Sequence, residues 1–105
     1  MSEKDRRLEL HKKFEDILGS KNVYFQPPET MRMQYPCILY FKTSVSTRYA
    51  NNMAYKNTQG YTVTYVDKSP DSEIPFILLK SFECTKIDSF YKSEGLNHTK
   101  LTIFY

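Results

Sequence analysis

The run YTVTYVDKSPDSEIPFILLKSF, Tyr61 to Phe82, constrains the fold more than any other part of the chain. Tyr61-Thr62-Val63-Thr64-Tyr65-Val66 alternates aromatic and β-branched residues, the pattern of a half-buried strand. Asp67-Lys68-Ser69-Pro70-Asp71-Ser72 then breaks the chain, and an apolar cluster follows at Ile74, Phe76, Ile77, Leu78 and Leu79. That cluster reads as a short helix over about Ser72 to Lys80. Pro75 must then sit in its first turn, where a missing N–H costs nothing. Asp67, Ser69, Asp71 and Glu73 gather at the junction. Such side chains cap helix starts, accept hydrogen bonds from exposed N–H groups and complement the helix dipole. A cation site is the alternative for the same oxygens, but no further hard ligand lies nearby in sequence.

The rest of the chain builds around this unit. Leu10, Phe14, Ile17 and Leu18 form one apolar stripe at helical spacing, with Ser2 as the expected cap and Gly19 as the expected left-handed stop. Asn22 to Gln26 reads as a short strand halted by Pro27-Pro28. The loop PPETMRMQYP leads to Cys37-Ile38-Leu39-Tyr40-Phe41, a central strand apolar on both faces. Residues 37–47 and 60–67 are expected to pair as an antiparallel hairpin with a long tip. Two closing strands, Glu83 to Tyr91 and Asn97 to Tyr105, flank Lys92-Ser93-Glu94-Gly95; Thr99, Leu101, Ile103 and Tyr105 share one face of the second. The order is α-β-β-β-α-β-β. It predicts one α+β domain over residues 1–105, an antiparallel sheet of four to five strands with both helices on one face.

Composition narrows the function classes. The chain has 105 residues, 40% hydrophobic and 26% charged, with nine Tyr and seven Phe but no Trp. A domain of this size buries one modest core. The net charge is +3, and residues 30–66 carry the four basic residues Arg32, Lys42, Arg48 and Lys56 with no acid. Four dispersed cations fall short of a nucleic-acid signature. Only three glycines are present, and no phosphate-binding loop. His11 and His98 have no Cys, Asp or Glu at metal-ligand spacing, so neither a metal nor a cofactor is expected. Cys37 and Cys84 read as buried thiols in a reducing compartment; a Cys84–His98 pair has no supporting local signature. The amino-terminal residues lack a signal-peptide apolar core, and no apolar run is long enough to span a bilayer. An enzyme is not expected.

The stretches LHKKFEDILGSKNVYFQPPETMRMQYPCILYF and TRYANNMAYKNTQGYTVTYVDKSPDSEIP, with Gly95-Leu96-Asn97-His98, together resemble the tail terminator family of tailed bacteriophages of Gram-positive hosts. These are the tail-completion, or tail-to-head joining, proteins. The resemblance covers nearly the whole chain and includes no catalytic motif. It implies a structural virion protein, assembled in the host cytoplasm, that caps the finished tail tube as a ring, hexameric in this family. Its partners would be copies of itself, the tail tube protein and the head connector or head-closure protein. DNA would pass through the lumen without specific recognition, and no membrane is involved. Head closure, a small nucleic-acid-binding module and an undetected hydrolase stand as alternatives. The tip Thr47 to Gln59 is the expected contact element, through Arg48, Tyr49, Asn51, Asn52, Met53, Tyr55 and Lys56, because Tyr, Met and Arg are enriched at interfaces.

Overall fold

The computed structural model describes residues 3–43, 59–82 and 84–105. Helix α1 (Glu3–Leu18) is followed by strands β1 (Val23–Phe25), β2 (Cys37–Lys42) and β3 (Gly60–Asp67), helix α2 (Ile74–Ser81), and strands β4 (Cys84–Ser93) and β5 (Leu96–Phe104). The five strands form one mixed sheet in the order β1-β2-β3-β5-β4. The element order and the α+β class are those the sequence implies. The expected cap Ser2 lies outside the described residues.

One pairing differs from an all-antiparallel sheet. β1 runs parallel to β2, with Val23 opposite Ile38 and Phe25 opposite Tyr40, while every other pair is antiparallel. Parallel neighbours cannot be joined by a tight turn, because the chain must return to the starting end of the first strand. The proline-bounded segment after Phe25 makes that return. It is held against the sheet where the Gln34 N–H donates to the Tyr24 hydroxyl at 3.2 Å.

Strand alternation assigns the two faces. Ile38 and Tyr40, Tyr61, Val63 and Tyr65, and Leu101 and Ile103 are buried in one cluster with Leu10 and Phe14 of α1 and Leu78 of α2. Both helices therefore cover the same face. Tyr40 is the hub: the rings of Phe14, Phe25 and Tyr61 lie 5.0 to 5.7 Å from it. Its hydroxyl is hydrogen-bonded to His11 Nδ1 at 2.7 Å. Burial pushes the Tyr40 phenol up and holds the His11 imidazole below its ordinary pKa, Arg7 adding to the His11 effect and Glu15 opposing it. α1 ends where Gly19, at φ +78°, donates its N–H to the Glu15 carbonyl. That left-handed conformation strains a residue with a Cβ.

Candidate functional site

The chain break between β3 and α2 is a relay of short side chains. Asp67 Oδ1 accepts from the Ser69 N–H at 3.2 Å, Ser69 Oγ from the Asp71 N–H at 3.3 Å, and Ser72 Oγ from the Ile74 N–H at 3.2 Å. Asp71 thus enters through its backbone, and Glu73 makes no capping side-chain bond. Ser72, which the sequence reading did not single out, serves the first residue of α2. Pro75 occupies the first turn of that helix.

Tyr65 ties the relay to the core. Its hydroxyl donates to Asp67 Oδ2 at 2.6 Å and is bonded to Ser72 Oγ at 2.9 Å, while the residue is only 3% exposed. Burial, reinforced by donation to Asp67, pushes the Tyr65 phenol up to about 12. On the other side of the turn, Asn97 Nδ2 donates to the Lys68 carbonyl at 3.1 Å, fixing the turn to β5. The relay sets the position and direction of α2.

α2 is apolar nearly all round and too short to hide every side. Pro75 and Leu78 are buried, but Phe76, Ile77 and Leu79 are not, Phe76 being 53% exposed. β4 adds a second exposed surface through a register shift. Ile87 faces Leu101 but Ser89 faces Lys100, leaving Asp88 as the extra residue, held by Thr102 Oγ1 at 2.6 Å. A one-residue shift exchanges the faces beyond it. Phe90 consequently pairs with buried Thr99 on the helix side of the sheet, past the reach of α2, and is 64% exposed.

Between α2 and the β4–β5 hairpin lies a groove of about 470 Å³. Its apolar walls are Phe76, Phe90 and Pro75, and its polar atoms come from Tyr65, Ser72 and Asn97. At its margin Tyr91 and His98 stack ring on ring, 4.7 Å apart and 12° from parallel. β4, ten residues long, is also an outer strand of the sheet. The opposite end carries a shallower basic hollow, lined by Lys4, Arg7, Phe25 and Lys42, with the Arg7 guanidinium 4.2 Å from the Phe25 ring centroid.

The expected contact residues Arg48, Tyr49, Asn51, Asn52, Met53, Tyr55 and Lys56 lie outside the described residues. The sheet fixes where their segment joins the fold. Thr43 N–H donates to the Gly60 carbonyl at 3.0 Å, and Gln59 Nε2 donates to the carbonyls of Thr43 and Gly60. The register separates Cys84, opposite Phe104, from His98, opposite Tyr91. At about 3.3 Å per residue the two lie on the order of 20 Å apart. Cys37 is a buried free thiol pushed up to about 11 by burial. Among the described residues, no three His, Cys, Asp or Glu group together as metal ligands, and no helix is long and apolar enough to cross a membrane.

The site thus defines a class by surface rather than by reactive groups: a small α+β domain presenting an aromatic groove at one end of a helix-covered sheet. No protein-family model matches the chain, and neither does any curated protein or solved structure.

Proposed function

We propose that the chain is a structural subunit of the neck of a tailed bacteriophage. It forms a ring, hexameric as in the family it resembles, that caps the tail tube, ends tube polymerisation and joins the tail to the head connector. The observation that carries this reading is the exposed aromatic pair Phe76 of α2 and Phe90 of β4, which line one groove, with Ile77 and Leu79 also exposed on α2. Contiguous apolar surface on a small domain, beside an outer strand of the sheet, is what protein–protein contact uses. A ring demands such surface, because each subunit must touch two neighbours through different patches. The likeness in sequence, running from Leu10 in the first helix to His98 in the last hairpin, supplies the particular assembly.

Purified protein is mixed with purified tail tubes and imaged by negative stain. The expected result is a ring seated on one end of each tube, with over-long tubes in phage deprived of the protein. Rings that bind the head connector and ignore the tube would reassign the chain to head closure. Protein that stays monomeric with both partners would refute a neck role.

A further inference from the structure

We propose that the groove between α2 and the β4–β5 hairpin receives residues 44–58 of a second copy of this chain. The contact rests on the ring reading and deepens it by naming the surfaces that join neighbouring subunits. Position argues for it first. The segment leaves the sheet at Thr43 and returns at Gln59, both clamped at the Gly60 end of β3. The groove lies at the other end of β3, where Asp67 pairs with Asn97. A chain that leaves and returns at one point extends roughly 25 Å at most from it over this many residues. β3, eight residues long, itself spans about 25 Å. The groove opens on the face that both helices cover, so the direct path along that face is blocked within one molecule. The groove of a neighbour is free of that obstacle.

Chemistry argues second. The segment offers Tyr49, Met53 and Tyr55 among asparagines, with Arg48 and Lys56 and no acid. The groove offers the rings of Phe76 and Phe90, with hydroxyl and amide groups from Ser72 and Asn97. Asp71 and Glu73 are exposed on the turn that borders it. Aromatic and thioether side chains fill such a groove, and cations at the margin meet the carboxylates. Symmetry argues third. A contact joining opposite ends of one fold is heterologous, the kind that generates rings or filaments.

A fluorescein-labelled peptide of residues 44–58 is titrated against the full-length protein and followed by anisotropy. Saturable binding is expected, weakened at least tenfold by Phe90→Asp in the protein or by Tyr49→Asp with Tyr55→Asp in the peptide. Phe41→Asp, on the face away from the helices, should leave it unchanged. Phe90 is largely exposed, and a thermal melt verifies that its variant is folded. No saturable binding, or equal binding by Phe90→Asp, overturns the proposal. Tube capping is scored separately. Wild-type protein that caps tubes but ignores the peptide sinks the tip-in-groove contact and spares the ring; binding without capping does the reverse. If Phe90→Asp abolishes capping while the peptide never binds, the groove belongs to the tube protein and the proposal fails.

Discussion

Tyr65→Phe removes one oxygen from the place where strand, turn and second helix are tied together. The hydroxyl donates to the Asp67 carboxylate at 2.6 Å and is bonded to Ser72 Oγ at 2.9 Å. A hydrogen bond to a charged group contributes about 1.5 to 3 kcal/mol, and a neutral one about 1. Asp67 and Ser72 are each half-buried, so water can replace the lost phenol at both. That places the net cost near the lower end, at about 1.5 kcal/mol. For a domain of this size each kcal/mol shifts the melting temperature by about 4 to 8 °C, so a loss of about 6 to 12 °C is expected. Urea denaturation followed by circular dichroism measures it, with the m-value unchanged if only the native state is affected. A cost below about 0.5 kcal/mol, the floor for a single net hydrogen bond, would refute the claim that this hydroxyl organises the turn.

The same substitution has a pH signature. The folded Tyr65 phenol keeps its proton to about pH 12, whereas an unfolded tyrosine releases it near 10. The folded chain therefore binds more protons in that window, and stability falls as pH rises through it. Below pH 10 this contribution is fully present. Tyr40 is also pushed up. In Tyr65→Phe the alkaline loss should accordingly shrink without vanishing.

Three further outcomes are expected. Leu78→Ala, at the fully buried contact of α2, should cost about 3 kcal/mol in denaturant unfolding, since little else on that short helix is buried. Gly19→Ala should cost about 1 to 2 kcal/mol in the same assay; an added Cβ meets nothing within 4 Å, so the loss is one of backbone conformation alone. His11, held below its ordinary pKa of 6.5, should contribute stability that is intact above pH 6.5 and lost as pH falls through its folded value. A His11→Gln variant, melted at several pH values, should show a smaller loss over that range.

The legible parts of the fold are those where local signals agree. The stripe Leu10, Phe14, Ile17, Leu18 is the buried side of α1, and the alternation through Tyr61, Val63 and Tyr65 marks the helix-covered face of β3. Pro70 and Pro75 bracket the start of α2, whose first residue is Ile74. The parallel pairing of β1 and β2 has no comparable signal. Val23-Tyr24-Phe25 reads the same in either direction, and only the length and course of the segment before Cys37 decide the matter. The capping relay was partly legible. An Asp or Ser beside Pro predicts turn hydrogen bonds, but which of Ser69, Asp71, Ser72 and Glu73 turns inward depends on backbone angles that composition does not encode.

The groove was the least legible feature, and the reason is physical. A periodic pattern identifies a buried face only when a polar face stands opposite it, and Ile74 to Leu79 has none. Length decides instead: an eight-residue helix laid across a twisted sheet covers it with one side, leaving Phe76, Ile77 and Leu79 outside. β4 hides its contribution differently. Simple alternation would set Phe90 and Ile87 on opposite faces; the extra residue Asp88 brings them to the same one. The short helix thus leaves the surface exposed, the inserted residue masks the face of Phe90 in the sequence pattern, and neither leaves a mark that residue type alone would reveal. A variant that deletes Asp88 should restore regular pairing and leave Phe90 opposite Thr99, still beside the groove, because Ser89 then follows Ile87 directly. That variant should bind the peptide of residues 44–58 as tightly as wild type; a tenfold loss in a folded variant would refute the view that the bulge matters only through the face it gives Phe90.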